Sequence, residues 1–318
     1  MKILLIGATG QIGFALTQAL AKTEHHLSIL VRNKRKLPFP DNINIIETAD
    51  FNAHAFKTAL AGAEHVIYGV GLPEQFLFDD TVFEQINYGL LKIFLEEFRK
   101  TGLKSLTYIS TYEVFQDADG VIRETHPTAD ESQMTPYFQA MTRAYKLVSE
   151  FASTTDIEIT TIHPAAVYGG LNTGHGFTNY IENLRHKRFW QVPFIIKGRF
   201  PLVHADSLAE AIIKSLGQPG SYIVSDQMTS LREIALALKN YTNSYAPLTA
   251  PVWLAKLGTF FLEALARLTH QIPMMARVQI EFITKGIEPE AGQAISNLNW
   301  QPLPLSEGLR RYLNRQGG

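Results

Sequence analysis

The chain has 318 residues, of which 46% are hydrophobic and 19% are charged, and its formal net charge is −1. This composition is typical of a globular protein with one large or two small domains, and such a charge gives no net attraction to nucleic acid or to an acidic membrane. Because the chain has no cysteine, disulfides, thiolate catalysis and cysteine-ligated metal sites are excluded. Its ten histidines show no metal-ligand spacing, and its start lacks a signal-peptide pattern. We therefore expect a cytoplasmic protein with no metal, no nucleic-acid partner and no membrane partner.

The first half of the chain alternates short apolar runs, rich in β-branched residues, with helical patterns. Such alternation is the signature of a parallel sheet that helices cover on both faces. We predict an α/β fold with a doubly wound Rossmann-type sheet, whose ligands bind at the carboxyl ends of the strands. The predicted strands are 2–7, 26–32, 43–48, 64–70, 105–111 and, with a following loop, 157–169; the predicted helices are 12–22, 54–62, 82–101 and 137–153.

The second half of the chain is mainly helical, with strands predicted near 200 and at 221–226. Its most apolar segment, 252–268, carries Lys256, Glu263 and Arg267, whereas a spanning helix needs ~20 predominantly apolar residues. We predict that this segment is an amphipathic helix packed on the body of the protein.

This pattern predicts two structural parts. Residues 1–169 are expected to form a dinucleotide-binding domain that also receives about 200–225. Residues 170–199 and 226–318 are expected to form a smaller, discontinuous part that covers the substrate.

The sequence GATGQIG places Gly7, Gly10 and Gly13 at three-residue spacing, directly after a strand and before a helix. In this arrangement the first glycine permits a tight turn, the second lets the backbone approach a pyrophosphate, and the third lets the helix pack closely on the sheet. The phosphates then bind the unpaired N–H groups at the helix start. We predict a dinucleotide site here, in preference to a purely structural turn. Its predicted contacts are Gly7, Thr9, Gly10, Gln11, Ile12 and Gly13.

The end of the second strand distinguishes NAD from NADP. An NAD site places an acidic residue there to accept from the ribose hydroxyls, whereas this strand ends in LVRNKRK, with no carboxylate before Asp41. A guanidinium binds phosphate well and would leave the ribose of NAD without an acceptor. We predict NADP(H), bound through Arg32; a solvated basic loop is the alternative.

Taken in order and spacing, the motifs resemble those of the extended short-chain dehydrogenase/reductase family over nearly the whole chain. Within that family, residues 250–273 look more like the dihydroflavonol-reductase and hydroxysteroid-dehydrogenase branch than like the nucleotide-sugar epimerases. The resemblance implies that Asp50 lies near adenine and that Pro164 and Val167 contact the cofactor. The matching segments are GATGQIG (7–13), TADFNA (48–53), the helix asparagine Asn87, YISTYEVF (108–115), IHPAAVYG (162–169), PLVHADSLAEAI (201–212) and NLNWQPLPLSEGLRRYL (297–313).

The resemblance also implies a mechanism in which a tyrosine hydroxyl is the acid or base at the substrate oxygen while hydride passes to or from nicotinamide. The hydroxyl that orients the substrate is Thr111, with Ser110 as its neighbouring alternative, and the tyrosine is Tyr137 in the sequence TPY. The family's lysine, four residues after the tyrosine, is Met141 in this chain. A methionine on a helix usually fills the core, and we predict that role for Met141.

Without a nearby cation, Tyr137 is expected to keep its proton at neutral pH, because a free tyrosine has a pKa of ~10. It would then donate a proton during carbonyl reduction but would be a poor base for alcohol oxidation, and losing tuned acid–base help typically costs ~10²–10⁴ in rate. Arg143 and Lys146 lie on other faces of the helix. Two replacement bases remain open. One is Glu113, where the family's sugar dehydratases carry a catalytic glutamate, and the other is His163, where arginine is usual; a solvated carboxylate and a packed histidine are the alternatives.

Three functions remain open from the sequence. The first is an NADP(H)-dependent oxidoreductase that acts on a carbonyl or alcohol group of an unidentified small molecule. The second is a non-catalytic NADP(H)-binding sensor or scaffold, which Met141 favours. The third is a nucleotide-sugar epimerase or dehydratase, in which LRHKR (184–188), Lys197 and Arg199 would meet a diphosphate; Tyr112, in place of the acidic neighbour of Glu113, disfavours the dehydratase. Family members commonly form homodimers through two helices, which are 82–101 and 137–153 in this chain.

Overall fold

The structure is a computed structural model that describes residues 1–34, 38–73, 76–171, 176–271, 273 and 276–316. In chain order the strands are β1 (Lys2–Ile6), β2 (His26–Val31), β3 (Asn44–Glu47), β4 (His65–Tyr68), β5 (Ser105–Ile109), β6 (Val121–Ile122), β7 (Glu158–Pro164), β8 (Ala166–Tyr168), β9 (Phe194–Ile196), β10 (Phe200–His204), β11 (Gly220–Val224), β12 (Gln227–Thr229), β13 (Leu248–Ala250) and β14 (Glu288–Pro289). The helices are α1 (Gln11–Leu20), α2 (Ala53–Leu60), α3 (Thr81–Phe83), α4 (Leu90–Arg99), α5 (Pro136–Ser153), α6 (Gly176–Arg185), α7 (Ala205–Lys214), α8 (Leu231–Lys239), α9 (Val252–Thr269), α10 (Arg277–Lys285), α11 (Gly292–Leu298) and α12 (Leu305–Gln316).

The central element is a seven-stranded sheet in the order β11-β7-β5-β4-β1-β2-β3. Every neighbouring pair is parallel, so the predicted Rossmann-type α/β fold is confirmed. Side chains of α1 and α7 pack on one face of the sheet, and those of α2, α4 and α5 pack on the other. Because both faces are covered, the strands are nearly continuous apolar runs, which is why the alternation of the sequence identified them.

The segment predicted as one helix over 82–101 is interrupted by a π-helical turn. A segment at Glu84–Gly89 lies between α3 and α4, and such turns often mark functional sites. Asn87 lies in this segment and is 2% exposed. Its amide accepts from the N–H of Leu72 at 2.6 Å and donates to the carbonyl of the same residue at 3.1 Å. The irregular turn therefore holds the loop that follows β4.

The segment 157–169, predicted as one strand and a loop, forms two strands in different sheets. The first, β7, lies in the central sheet, whereas β8 pairs with β10 in a three-stranded sheet ordered β12-β10-β8. Pro164 ends the first strand because it has no N–H to continue the ladder. Gly169 follows β8 with a φ of +77°, and a Cβ on it would lie 2.2 Å from Nε2 of His204, so a glycine is required there.

The helices α6, α8, α10 and α12 share a second apolar core with β9 and β10. Asp226 links this part to the C-terminal segment. Its carboxylate accepts from the N–H of His204 at 2.7 Å, the hydroxyl of Ser207 at 2.7 Å and the N–H of Leu303 at 2.8 Å. Burial raises the pKa of Asp226 to about 6, against the lowering effect of these bonds. Residues 172–175, which belong to the predicted substrate-covering part 170–199, lie outside the described residues.

The helix predicted at 252–268 is present as α9, but it contacts the protein on the side opposite most of its large apolar residues. The side chains that α9 buries are Thr259, Glu263 and Ala266, whereas most of its large apolar side chains are exposed. Glu263 ties the buried side to the start of α10, because it accepts from the backbone N–H of Arg277 at 2.6 Å and from its Nε at 2.8 Å. In the described segments, no helix is both long enough and apolar enough to cross a membrane.

Candidate active site

The glycine turn joins β1 to α1, and one of its three glycines has free space beside it. Gly7 has a φ of +103°, and a Cβ on it would lie 2.5 Å from the carbonyl oxygen of Gly69. A Cβ on Gly13 would lie 2.1 Å from the carbonyl oxygen of Gly7. A Cβ on Gly10 would meet only that same oxygen, at 3.7 Å, and Gly10 is the exposed N-cap of α1. Gly7 and Gly13 are therefore required by packing, whereas Gly10 borders the open space beside the helix N–H groups.

The other predicted cofactor contacts of the turn are partly buried, and one of them bonds to another helix. Thr9, Gln11 and Ile12 are partly buried. Nε2 of Gln11 donates to Oγ1 of Thr178 at 2.6 Å, and the same hydroxyl accepts from the N–H of Gly169 at 3.1 Å. The side chain of Gln11 thus connects the first turn of α1 to α6.

The carboxyl ends of β2 and β3 carry the residues predicted for the adenosine end. Arg32 is exposed, and its guanidinium carbon lies 5.7 Å from the ring centre of Phe51; among the described residues no carboxylate pairs with it. Lys34, in contrast, lies 3.8 Å from the carboxylate of Glu47. Asp50 is exposed. The other basic residues of this run, at positions 35 and 36, lie outside the described residues.

The end of β5 and the start of α5 meet at one apolar cluster. Thr111 follows β5 and is 7% exposed, and its neighbour Ser110 is 6% exposed. Tyr137 is the second residue of α5, is half-buried, and its ring lies 5.6 Å from that of Phe83. Tyr137 packs on the cluster that contains Tyr112, the residue after Thr111. The structure thus brings the Thr111 turn and the start of α5 to the same edge of the sheet.

Met141 fills this cluster, as the sequence predicted. Its side chain is 6% exposed and packs in a group of apolar residues. Arg143 and Lys146 of the same helix are engaged elsewhere, since both contact the carboxylate of Glu131, at 2.9 and 2.6 Å. The members of the cluster besides Met141 are Tyr112, Val114, Phe115, Ile122 and Ile223.

A lysine does reach this region, but from a distant part of the chain. Nζ of Lys285, the last residue of α10, lies 3.2 Å from Oε1 of Glu113 and 5.2 Å from the ring centre of Phe138. Glu113 is 9% exposed. Burial raises the pKa of its carboxyl, and the charge and hydrogen bond of Lys285 offset part of that rise. Glu113 is therefore not a solvated loop carboxylate, and its partner, 172 residues away, has no signal in the sequence.

His163 is a packed structural residue. It is fully buried in β7, with Nδ1 3.1 Å from the carbonyl oxygen of Thr111 and Nε2 2.8 Å from Oγ of Ser221. Burial lowers the pKa of His163 to about 3, so the ring is neutral at physiological pH. Its contacts orient the Thr111 turn. Pro164 is buried at the end of β7, the neighbour of β5 in the central sheet, and Val167 is partly buried on β8 in the three-stranded sheet.

Two further observations bound the site. A recess of about 720 Å³ lies between α2 and α4, lined by residues such as Lys57 and Lys100, and none of the predicted site residues lines it. Among the described residues, no cluster of three or more histidines and carboxylates is arranged to hold a metal ion.

Comparison with known proteins identifies the family. Residues 3–225 match the NAD dependent epimerase/dehydratase family, whereas no curated protein matches the chain. Three similar solved structures are the Thermus thermophilus UDP-glucose 4-epimerase with NAD (TM-score 0.76, 17% identity, covering 100% of this chain and 99% of that one), the Bacillus cereus UDP-glucuronic acid 4-epimerase with NAD (0.75, 17%, 100% and 100%) and a Pseudomonas aeruginosa nucleoside-diphosphate-sugar epimerase (0.77, 16%, 100% and 98%).

At these identities the solved structures demonstrate a shared fold. The family match covers well over half of the chain and includes the glycine turn, the Thr111 turn and the start of α5. It confirms the resemblance to extended short-chain dehydrogenases/reductases that the motifs indicated. The chain belongs to the NAD-dependent epimerase/dehydratase family.

Proposed function

We propose that this protein is an NADP(H)-dependent oxidoreductase that acts on a carbonyl or alcohol group of a small molecule. The observation that carries the cofactor assignment is Arg32, an exposed guanidinium at the end of β2 with no carboxylate beside it in the described chain. The three similar structures include two with NAD. A cofactor with a 2′-phosphate suits Arg32 better, since guanidinium binds phosphate in a bidentate manner.

The residues of the turn fit a dinucleotide. A pyrophosphate is proposed to bind beside Gly10, where an added Cβ would meet one atom only, against the N–H groups at the start of α1. Asp50 is proposed to meet the adenine, and Pro164 and Val167 to border the nicotinamide. The cofactor, when bound, supplies or accepts a hydride.

Thr111 and Tyr137 are proposed to contact the substrate oxygen. The hydroxyl of Thr111 orients it by a hydrogen bond, and the phenol of Tyr137 donates the proton. Because Met141 stands where an ammonium would stabilise a phenolate, this site favours carbonyl reduction over alcohol oxidation. Glu113, held by Lys285, is proposed as a second acid–base group beside Thr111. Residues 170–199 and 226–318 are proposed to cover the substrate.

The test compares Tyr137→Phe with Tyr145→Phe, in NADPH oxidation over a panel of carbonyl compounds. Both tyrosines are on α5, and the ring of Tyr145 packs on Phe115 and His163, so the control removes a hydroxyl while keeping an aromatic ring. We expect Tyr137→Phe to lower the rate by ~10²–10⁴ and Tyr145→Phe to leave it within a few fold. Equal rates in the two variants would remove Tyr137 from the mechanism.

A non-catalytic NADP(H) sensor is the second candidate, and the burial of Met141 favours it. Tight NADPH binding without turnover across the panel would establish this reading. The nucleotide-sugar alternative needs basic residues to bind a diphosphate. Two of those proposed are already paired with carboxylates, Arg185 with Glu182 and Arg199 with Glu233, which weakens this alternative. Interconversion of a UDP-sugar by the protein would revive it. A homodimer through 82–101 and 137–153 is a separate proposal, which light scattering tests.

A further inference from the structure

The helix α9 presents an apolar face to solvent. Seven large side chains of this 18-residue helix are between 47% and 81% exposed. Monomeric soluble proteins rarely expose a contiguous apolar patch of this kind unless something covers it. We call these residues the α9 face: Trp253, Leu254, Leu257, Phe260, Phe261, Leu265 and Leu268.

The orientation of the helix is set by its polar side. Glu263 is 8% exposed and accepts two hydrogen bonds from Arg277. Rolling the helix to bury its apolar side chains would expose Thr259 and Glu263 and break this ion pair. The outward position of the α9 face is therefore stabilised by specific bonds of the protein itself.

The apolar surface continues beyond the helix. Phe194 of β9 pairs in register with Leu248 of β13, and these side chains are 53% and 73% exposed. Trp190, which precedes β9, is 90% exposed. Since β13 leads into α9 through Pro251, we take these exposed side chains together with the α9 face.

Basic residues are exposed along the segments that carry this surface, and Glu263, the carboxylate of α9, is buried. Residues 184–199 and 241–262 contain no aspartate or glutamate. Lys187, Arg188, Lys197 and Lys256 are exposed within these segments. A helix with tryptophan, phenylalanine and leucine on one face and basic residues beside them is the pattern of a segment that lies in a lipid–water interface.

We propose that the α9 face, with Trp190, Phe194 and Leu248, docks on the surface of an anionic lipid bilayer. A second copy of the chain is a poorer partner, because a twofold contact would bring the same cations face to face with no carboxylate of these segments to neutralise them. The helix lies on the bilayer and does not cross it, in keeping with the charges at Lys256, Glu263 and Arg267. This departs from the sequence expectation of no membrane partner and is independent of the proposed catalytic function.

The three tryptophans provide a direct test. Trp190 and Trp253 lie on the proposed surface, whereas Trp300 is fully buried. The full chain is mixed with phosphatidylcholine–phosphatidylglycerol vesicles that contain brominated acyl chains, and flotation and tryptophan fluorescence are measured. We expect the protein to float, Trp190 and Trp253 to be quenched in single-tryptophan variants, and Trp300 to be unaffected. Pure phosphatidylcholine vesicles and high salt should weaken binding, since each basic residue near an anionic surface strengthens it.

A matched pair of double variants tests the face itself. Leu265→Ser with Leu268→Ser should lower vesicle partitioning by roughly 10-fold or more, because two large apolar side chains are lost from the contact. Leu236→Ser with Ile295→Ser removes two exposed apolar side chains on α8 and α11 and should leave it unchanged. Thermal melts of both confirm folding.

Three results would overturn the proposal. One is failure to float with anionic vesicles. The second is flotation without quenching of Trp190 and Trp253. The third is a dimer that forms in the absence of lipid and is lost in the Leu265→Ser, Leu268→Ser variant, which would assign the face to a second copy of this chain.

Discussion

Replacing Lys285 by methionine should destabilise the protein in a pH-dependent way. The change removes the ammonium 3.2 Å from Oε1 of Glu113 but keeps an apolar stem to pack on Phe138. Two charges at this distance interact by about 5 kcal/mol at an effective dielectric constant of ~20 and by about 1 kcal/mol in water. Because the Lys285 side chain is 47% exposed, solvent screens the pair, and we take about 1–2 kcal/mol. Loss of the ammonium should raise the pKa of Glu113 further, because the charge and hydrogen bond of Lys285 now oppose the effect of burial.

The sign follows from proton binding. Burial already raises the pKa of Glu113 in the folded protein, above its unfolded value of about 4.3. The folded state therefore binds this proton more tightly, and its contribution to stability falls as pH rises between the unfolded and folded pKa values. Lys285→Met extends this pH range to higher pH, because loss of the ammonium raises the pKa of Glu113 in the folded protein. The loss of unfolding free energy should be small near pH 4, where Glu113 is protonated, and should reach about 1–2 kcal/mol at neutral pH.

The assay is urea denaturation of the wild type and variants at acidic and neutral pH. Lys92→Met, at an exposed lysine of α4, is the control for removing a cation of the same kind. Glu113→Gln removes the titrating group, so adding Lys285→Met to it should cost little and should not depend on pH. The reasoning fails if Lys285→Met costs the same at both pH values, or if Glu113→Gln does not suppress its pH dependence.

Two further predictions concern the cofactor. Gly10→Ala should keep the thermal stability close to wild type, because its Cβ would meet one atom at 3.7 Å, but it should abolish NADPH binding. Gly13→Ala should lower the free energy of unfolding by about 2 kcal/mol or more, because its Cβ would lie 2.1 Å from the carbonyl oxygen of Gly7. Equal thermal stability of the two variants would contradict the assignment of the two glycines. Arg32→Ser should weaken NADPH binding ~10–100-fold, as expected for a lost charged hydrogen bond, and leave NADH binding unchanged, whereas Lys34→Ser, whose lysine pairs with Glu47, should alter neither. An equal loss for both nucleotides would refute a role of Arg32 at a 2′-phosphate.

Features within one strand–turn–helix unit were predictable because their contacts are local. Gly7 and Gly13 are near each other in the sequence and pack closely in the structure, so their spacing alone indicates close packing of the helix on the sheet. Met141 lies on the inner face of α5 and is buried, as expected of an unbranched apolar residue on an amphipathic helix. The parallel, doubly wound character of the sheet followed from the alternation of strands and helices.

Features that join distant segments were not predictable. The split of 157–169 depends on β10 and β11, which lie beyond it in the chain. The π-helical turn at Asn87 is tied to the backbone of Leu72, which no helical periodicity reports. The hydrophobic pattern of α9 predicts two faces but not which one faces the protein.

The sequence by itself determined the Rossmann-type sheet, the position of the glycine turn and the absence of a lysine four residues after Tyr137. Each depends on residue type and on spacing along a single strand or helix. Only the tertiary structure decided that Lys285 of α10 lies beside Glu113, and that α9 turns the side with Glu263 towards Arg277 and its apolar face outward. These contacts arise when separate segments pack together, because burying a carboxylate requires a partner that the chain can bring from any distance.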